Sequence, residues 1–387
     1  MRKQILAPIM ATALLACAPA LQAQDTVKIG LIQPLTGSVA YNGTADANGA
    51  RLAVKQRNAA GGILGKQVEL IIEDGQCSPA NSVNAAEKLI QRDQVVALVG
   101  AFCSSATSAV MPVAGKYKTP FLTGVSSEAS LTEKGNPYFF RSAETDALLG
   151  QAFSRLIVDN LGLKKVAYIG VNDDWGRGSA KAFEQELSSH GVETTLVEYF
   201  NHGATDFYTL LTKLRGSGAD GVFVAAETQD GSTLVKQIKQ FGIDMDVFGV
   251  GSWATSDFIK ITGEAAEGIY AAVPYVSNLP GERNQRFVED YSAAYDHAPG
   301  KYAAAGYNSL NIMMDAIQRA GGTDADAIVD GLHATDYQAP NGRYRFTAKG
   351  QGYGFEAALV QIRDGHTEVV ATTRIADPEA NHAKDGQ

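Results

Sequence analysis

The sequence predicts an α/β protein with two doubly wound, Rossmann-like domains. Three observations lead to this prediction. About 360 residues remain once an N-terminal leader is removed, which is more than one hydrophobic core usually serves. Apolar strand-like segments alternate with helix-like segments, as in parallel sheets covered by helices on both faces. The alternation begins again in the second half, with a similar order of elements but no repeating sequence.

The first half of the chain predicts four strands that alternate with three helices. Short apolar runs bounded by glycine, proline or polar residues are typical of buried strands, and longer stretches with apolar residues at helical spacing are typical of helices. The predicted order is strand Val27–Ile32, helix Thr44–Asn58, strand Val68–Glu73, helix Pro79–Arg92, strand Val95–Val99, helix Ser105–Tyr117 and strand Pro120–Thr123.

The second half predicts the same alternation by the same criteria. Its order is strand Lys165–Gly170, helix Gly178–His190, strand Glu193–Phe200, helix Asp206–Arg215, strand Gly221–Ala225, helix Gly231–Phe241 and strand Val247–Gly249. The repeated pattern places two α/β domains in tandem.

The remaining segments are too few for a third domain of this kind. They predict a strand at Gly268–Val273, then helices Glu282–Tyr295, Tyr302–Ala320 and Asp324–Leu332, and then strands Gly342–Phe346, Ala357–Arg363 and Glu368–Arg374. The simplest arrangement is that the chain crosses back, adding these helices to the first domain and the late strands to the second.

The first residues predict a secretory signal peptide. A short basic region, Met1–Lys3, precedes an apolar region that is too short to span a bilayer, and Ala23 ends a small-residue cleavage site. A lipoprotein-like box leaves lipid attachment at Cys17 as the alternative to simple cleavage. Residues 1–23 are therefore assigned to a cleaved leader, and the mature protein is expected in the periplasm.

The chain is acidic, with a formal charge of −9 at pH 7. Loss of Arg2 and Lys3 with the leader lowers this charge to −11. Such a surface suits neither nucleic acid nor anionic lipid, and no later apolar run is long enough for a transmembrane helix. The sequence therefore predicts a soluble exported protein without a nucleic-acid partner.

Two cysteines, Cys77 and Cys103, remain in the mature chain. Each follows the end of a predicted strand, and an oxidising compartment favours a disulfide between them. A zinc site would need a CxxC pair or a nearby histidine, and a catalytic thiol would need a placed histidine. The six histidines are scattered along the sequence, so we expect the disulfide and no metal.

The segment that joins the third predicted strand to its helix indicates an anion site. The strand ends at Gly100 and opens onto Phe102, Ser104 and Ser105. Free backbone N–H groups at a helix N-terminus, with serine hydroxyls beside them, can bind a carboxylate or phosphate without lysine or arginine. The alternative is that one of these serines only caps its own helix.

Further polar clusters follow other predicted strands, where ligands of open parallel sheets bind. Ser126 and Ser127 follow the fourth strand and extend the hydroxyl-rich, nearly uncharged set. In the second half, Trp175 could close over an apolar side chain, and Glu227 could accept hydrogen bonds from an ammonium group. Ordinary edge packing for Trp175, and a solvated loop or cap for Glu227, are the alternatives.

Motifs of catalysis are scarce in this sequence. It contains no GxSxG elbow, HExxH or GxxxxGK[ST] motif. The run Gly249–Ala254 fits GxGxxA, but it follows a late strand instead of opening a βαβ unit. We read this run as a close-approach loop that faces the cleft, and Asp173–Asp174 as a solvated turn rather than a cation site. An exported nucleotide-dependent enzyme remains the second hypothesis, and no cofactor is expected.

Taken together, several short segments resemble the periplasmic substrate-binding proteins of the leucine/isoleucine/valine type, which serve ATP-driven importers. The resemblance covers essentially the whole mature chain and depends on the order and spacing of these segments. The segments are Asp25–Gly30, Asn48–Ala53, Gly61–Gly65, Cys103–Thr107, Asn172–Gly178, Thr205–Phe207 and Gly263–Gly268.

This resemblance implies the type I periplasmic binding protein fold, in which two lobes joined by a hinge of three crossovers close on a ligand. It implies an N-terminal lobe of residues 25–145 with 275–348 and a C-terminal lobe of residues 146–274 with 349–387. It also implies a family disulfide at Cys77 and Cys103. The ligand set implied by the resemblance and the strand-end clusters is Tyr41, Phe102, Ser104, Ser105, Ser126, Ser127, Trp175, Glu227, Gly251 and Ser252.

One departure from the family pattern bears on the ligand. Where amino-acid binders of this family commonly carry a glutamate for the ligand ammonium, this chain has Gly251 and Ser252. Glu227 ends the neighbouring strand and could substitute, because adjacent strands lie only about 5 Å apart. Otherwise the ligand lacks an ammonium group.

The sequence therefore predicts a monomeric binding protein without catalytic residues, which captures a small carboxylate by hinge closure and passes it to the membrane permease of an ABC importer. A branched-chain or other apolar amino acid is the expected ligand. Aromatic or aliphatic carboxylates or amides without an ammonium are the alternative ligands. A ligand-sensing partner of a membrane receptor is the alternative role.

Overall fold

A computed structural model describes residues 26–379 as two α/β lobes. The expected leader at residues 1–23, with Cys17, and the last eight residues assigned to the C-terminal lobe lie outside the described residues.

Fourteen strands and eleven α-helices make up the described chain. The strands are β1 Val27–Gln33, β2 Val68–Asp74, β3 Ala97–Gly100, β4 Phe121–Thr123, β5 Phe139–Arg141, β6 Lys165–Val171, β7 Glu193–Phe200, β8 Gly221–Ala225, β9 Asp246–Gly249, β10 Tyr270–Val273, β11 Tyr337–Ala339, β12 Gly342–Phe346, β13 Gly352–Arg363 and β14 His366–Arg374. The helices are α1 Ala40–Ala59, α2 Pro79–Glu87, α3 Ser104–Lys116, α4 Asp146–Arg155, α5 Asp174–Ser189, α6 Tyr208–Gly216, α7 Thr228–Gln240, α8 Ser256–Thr262, α9 Glu282–Tyr295, α10 Lys301–Ala320 and α11 Ala325–His333.

The first sheet has five parallel strands in the order β2-β1-β3-β4-β5. Alternate residues of a strand point to opposite faces, and β1 shows this clearly. Ile29 and Leu31 belong to a hydrophobic cluster with residues of α1, α10 and α11. Ile32 belongs to another cluster with residues of α2 and α3. Helices therefore cover both faces, as in a doubly wound sheet.

The second sheet has nine strands, in the order β11-β12-β13-β10-β9-β8-β6-β7 with β14 paired to β13. Strands β6 to β10 run parallel to one another, and β13 runs antiparallel to β10. Buried residues of these strands, such as Ile169, Val224 and Phe248, share one large hydrophobic cluster with α5, α6 and α7. Strands β11 to β14 thus extend the second sheet.

The segments that connect the lobes lie side by side. Residues 142–145 lead from β5 to α4, and residues 347–351 lead to β13 from β12, whose Tyr344 and Phe346 pack in the hydrophobic cluster of the first lobe. Buried Arg141 joins these two connections, since its Nε donates to Oε1 of Gln351 at 2.6 Å. The Gln351 side chain in turn donates to the carbonyl of Ala143 at 3.0 Å. The third connection begins at Pro274, directly after β10. The Asn341 side chain donates a hydrogen bond to the Pro274 carbonyl at 3.0 Å.

Most predicted elements are present, but several boundaries differ. Helix α5 begins at Asp174, four residues before the predicted start, because the Asp173 carboxylate accepts a hydrogen bond from the Gly176 backbone N–H at 2.9 Å and caps the helix. Strands β5 and β11 and helices α4 and α8 were not predicted. Each of the two missed strands has only three residues, which is too short for a period of two to emerge.

Candidate functional site

A cavity lies between the two lobes, where the carboxyl ends of both parallel sheets face each other. It has a volume of about 30 Å³. It is lined by Phe102, Cys103, Ser104, Val125, Ser126, Ser127, Glu144, Leu149, Asp173, Trp175, His202, Glu227, Val250 and Lys301. A larger groove of about 620 Å³ lies elsewhere, between residues 128–133 and helices α4 and α5. The strand-end cavity is the candidate site, because ligands of open α/β sheets bind in the crevice beyond the carboxyl ends of the strands.

The backbone after β3 has an unusual conformation. Gly100, Ala101 and Phe102 all have positive φ angles, of 106°, 64° and 49°. Two of the three are not glycine, and residues held in this region cluster at ligand sites. The predicted Cys77–Cys103 disulfide is present, with a Cα–Cα distance of 5.4 Å, and it fixes the segment that follows. This turn directs the N-terminus of α3 into the cavity.

The three serines of the N-terminal lobe differ in where their hydroxyl protons go. Ser126 Oγ donates to the Phe102 carbonyl at 2.8 Å. Ser127 Oγ donates to a carboxylate oxygen of Asp146 at 2.8 Å. Ser104 Oγ accepts a bond from the Glu128 backbone N–H at 3.3 Å and so keeps its own proton for a ligand. All three line the cavity, but Ser104 is the hydroxyl free to donate.

Arg141 supports the serine segment from behind, and sequence reasoning missed it. Its guanidinium donates to the backbone carbonyls of Ser126 and Glu128 and to the Thr132 hydroxyl. Burial lowers the pKa of Arg141 to about 10, so the group still carries its charge at neutral pH. It therefore fixes the loop and places a positive charge behind the serine segment. No local motif marks it, because its partners are up to 210 residues away.

His202 is a second cavity residue without a sequence signal. It lies between the carboxylates of Asp173 and Asp230, at 3.2 and 3.4 Å. Burial lowers the pKa of His202, but the hydrogen bonds and negative charges of the two aspartates outweigh it and raise the pKa to about 9. His202 is therefore a cation at neutral pH. The expectation of a solvated turn was wrong for Asp173, because its side chain caps α5 and pairs with this imidazole.

Glu227 connects the two lobes. This side chain is 9% exposed, and its Oε2 accepts bonds from Asn42 Nδ2 on α1 at 2.8 Å and from the Tyr302 hydroxyl on α10 at 2.5 Å. The hydroxyl of Thr228 donates to Asn42 at 3.0 Å. The alternative of a solvated loop for Glu227 is thereby excluded, and its side chain makes no capping bond to α7. Among the described residues, its hydrogen-bond donors are both uncharged groups.

Lys301 adds a buried ion pair to the cavity wall. Its Nζ lies 3.6 Å from Oε1 of Glu144. A Cβ on Gly251 would come within 2.8 Å of the Lys301 side chain, so glycine at this position leaves room for the lysine. This packing explains why glycine occupies position 251, which the sequence alone did not indicate.

The indole of Trp253 accounts for the first glycine of the GxGxxA run. A Cβ on Gly249 would lie 2.1 Å from the Trp253 ring. The indole is fully buried, stacks on Phe258 and donates to the Ala226 carbonyl at 2.7 Å. Val250 is the residue of this run that lines the cavity. The glycines therefore serve packing.

Several predicted ligand residues lie outside the cavity wall as the described residues form it. Tyr41 lines a separate pocket of about 260 Å³, and burial and a hydrogen bond to Asp257 raise its pKa. Ser105 follows the cavity-lining Ser104 in α3, and Ser252 is fully buried beyond the cavity. A part for these residues and for Gly251 in binding stays a prediction.

The sequence profile described as periplasmic binding protein matches residues 26–367. The chain belongs to this family. It is 28% identical to the leucine-, isoleucine-, valine-, threonine- and alanine-binding protein of Pseudomonas aeruginosa, over 88% of this chain and 90% of the relative. The predicted family and the predicted two-lobed α/β fold are confirmed.

Solved structures of binding proteins agree. The branched-chain amino acid transporter substrate-binding protein of Streptococcus pneumoniae, in complex with isoleucine, is 29% identical and has a TM-score of 0.83, covering 92% of this chain and 100% of its own. A solute-binding protein from Rhodopseudomonas palustris, in complex with 3,4-dihydroxybenzoic acid, is 25% identical with a TM-score of 0.84, covering 92% and 99%. Binding proteins similar to this chain thus hold either an amino acid or an aromatic acid.

Among residues 26–379, no helix is long and apolar enough to cross a bilayer. Within that range, no group of three or more His, Cys, Asp or Glu side chains is placed to hold a metal ion.

Proposed function

We propose that this binding protein captures an apolar amino acid in the periplasm and delivers it to the permease of an ABC importer. The proposal depends on two opposite walls of the cavity. One wall has a free hydroxyl donor and a helix N-terminus, and the other has a buried carboxylate. Ser104 and the first turn of α3 provide the donors, and Glu227 provides the carboxylate. An α-amino acid has the matching pair of charges.

The carboxylate end of the ligand would bind the N-terminal lobe. Backbone N–H groups at the start of α3 have no intrahelical partners, and the helix dipole favours an anion there. The Ser104 hydroxyl adds a charge-assisted bond. Buried Arg141 holds the neighbouring loop through two carbonyls and adds positive potential.

The ammonium end would bind Glu227. The other acids that line the cavity already have cationic partners, since Asp173 faces His202 and Glu144 faces Lys301. Glu227 accepts bonds from uncharged donors only among the described residues. A ligand ammonium would therefore complete the charge balance of this buried carboxylate.

The remaining cavity wall suits an apolar side chain. Trp175 is half-buried and packs against the large hydrophobic cluster of the second lobe. Val125, Leu149 and Val250 line the same cavity. Removing apolar ligand surface from water here would add about 25 cal/mol per Å² to the interaction.

Binding would proceed by closure of the lobes. The Glu227 bonds to Asn42 and Tyr302 join the second lobe to α1 and α10 of the first, so they require the lobes to meet. A ligand that touches both lobes shifts the population toward the closed form. The permease would recognise that form, and the expected leader at residues 1–23 would export a monomer that works without catalysis.

Isothermal titration calorimetry with leucine and 4-methyl-2-oxopentanoate tests the proposal, because the second compound is leucine with a ketone in place of the amine. The wild-type protein should bind leucine more tightly. Glu227→Gln should weaken leucine binding at least tenfold, by about 1.4 kcal/mol or more, and should leave the oxo acid almost unaffected. The exposed Glu133→Gln is the matched control. Tighter binding of the oxo acid by the wild type would reject the amino-acid assignment.

One observation favours a second candidate, an aromatic carboxylate without an ammonium. Lys301 lies against Gly251, so the protein already places an ammonium of its own in the cavity wall, and a relative of known structure holds 3,4-dihydroxybenzoic acid. A thermal-shift screen of branched-chain amino acids against benzoate and hydroxybenzoates separates the candidates. Stabilisation by the aromatic acids alone would favour the second.

A further inference from the structure

A buried acid lies directly behind the serine segment of the cavity. Asp146 is the first residue of α4 and is 3% exposed. Its Oδ1 accepts the Ser127 hydroxyl proton at 2.8 Å, and its backbone N–H donates to the Ser127 carbonyl at 3.0 Å. Its second carboxyl oxygen, Oδ2, is buried and has no hydrogen-bond partner among the described residues. The acid therefore contacts the site through one serine.

The protonation state of Asp146 decides what Ser127 can do. An ionised Asp146 can only accept, so the hydroxyl proton of Ser127 points to it and away from the cavity. A protonated Asp146 can donate to Ser127 Oγ, which frees the hydroxyl proton for a ligand carboxylate. Protonation also removes a negative charge from behind the anion site. Both effects favour carboxylate binding to the protonated form.

We propose that Asp146 is a positioning residue that couples binding of a carboxylate ligand to uptake of one proton from solvent. In the complex, Asp146 donates to Ser127 Oγ, and Ser127 donates to the ligand carboxylate. This inference rests on the proposed function, because it requires a carboxylate at the serine segment. Nothing is oxidised or reduced, and the only other reactant is the solvent proton.

The surroundings of Asp146 place this proton exchange near neutral pH. Burial raises the pKa of Asp146 to about 7, the Ser127 hydrogen bond and the Arg141 charge oppose that rise, and Glu128 and Glu144 support it. Tyr168 on β6 is also buried near it and stays neutral, because burial raises its pKa. The added negative charge of a ligand carboxylate would favour the protonated acid further.

Calorimetry in buffers of different ionisation enthalpy counts protons taken up on binding. At pH 7.5 to 8, with leucine as the probe, the wild type should take up between about half a proton and one proton per ligand. Its affinity should rise as pH falls from 8.5 toward 6.5, by at most about tenfold per pH unit. Asp146→Asn, whose amide can donate to Ser127, should show almost no uptake and a flat pH profile. Glu133→Gln should behave like the wild type.

The outcomes separate this inference from the proposed function. Leucine binding without buffer dependence would overturn the proton coupling and leave the proposed function standing. If neither leucine nor another amino acid binds, the proposed function fails, and the Asp146 proton is then followed through urea unfolding. The folded pKa lies above the unfolded value of 3.8, so wild-type stability should fall relative to Asp146→Asn as pH rises through about 7. Parallel stability profiles would reject a titrating Asp146.

Discussion

Substitution of Ser104 by alanine gives the sharpest test of how the cavity holds a carboxylate. Of the three cavity serines, Ser126 and Ser127 give their protons to the protein, and Ser104 keeps its own. Ser104→Ala therefore removes a donor that faces the ligand. The expected effect falls mainly on ligand binding, because the bond that Ser104 accepts from Glu128 is long, at 3.3 Å.

The magnitude follows from the charge of the acceptor. A hydrogen bond to a charged group contributes about 1.5 to 3 kcal/mol, so the dissociation constant should rise roughly 10- to 150-fold. The lost bond within the protein should reduce the free energy of unfolding by about 1 kcal/mol or less. Titration calorimetry measures the first quantity, and urea unfolding measures the second.

Ser105→Ala is the matched control, since Ser105 is the next residue in the same helical turn and lies outside the cavity wall among the described residues. Its affinity should stay within about 0.5 kcal/mol of the wild type. The reasoning would be refuted if Ser104→Ala bound like the wild type, or if Ser105→Ala lost more affinity than Ser104→Ala.

Three further predictions concern stability. The Cys77–Cys103 disulfide joins residues 26 positions apart. Its reduction should lower the free energy of unfolding by about 3.5 kcal/mol, because the unfolded chain gains the entropy of the opened loop. An unchanged urea midpoint in reductant would contradict this. The two aspartates raise the folded pKa of His202 to about 9. The stability that protonated His202 contributes is therefore complete below the unfolded pKa of 6.5 and is lost as pH rises through 9. Urea unfolding of His202→Asn should lack this pH dependence of the free energy of unfolding, which is on the order of 3 kcal/mol. A Cβ on Gly49 would lie 1.9 Å from the Ala303 carbonyl oxygen, so Gly49→Ala should push α1 away from α10. The variant should lose about 1 to 3 kcal/mol of stability in thermal unfolding. A variant as stable as the wild type would show that the two helices separate without cost.

The repeated α/β pattern could be predicted because the central strands of both sheets, such as β3 and β8, are buried at every residue. Apolar runs such as Gly221–Ala225 are buried at every residue, so strand and helix separate clearly in the sequence. Strand β8 and helix α9 have the predicted boundaries. Helix starts were less reliable, because a cap such as that of Asp173 depends on one side-chain bond.

The candidate site was predicted only in part, and the physical reason is the distance along the chain between its partners. Ser104 and Ser127 follow strand ends, which is a local signal. Glu227 was identified as an acceptor, but its bond to Asn42 joins residues 185 positions apart. The contact of Arg141 with Gln351 spans 210 positions. No local pattern encodes such pairs.

The sequence by itself determined the two-domain α/β architecture and the family, and it predicted a carboxylate site at the turn after β3, because burial, strand ends and glycine positions leave local patterns. It also determined the disulfide, since only two cysteines remain after the expected leader. The tertiary structure decided which serine keeps a free proton, where Lys301 lies against Gly251, and which acid lacks a cationic partner. Those properties arise when two lobes bring distant polar groups into one low-dielectric cavity, where hydrogen bonding and charge pairing depend on position in space.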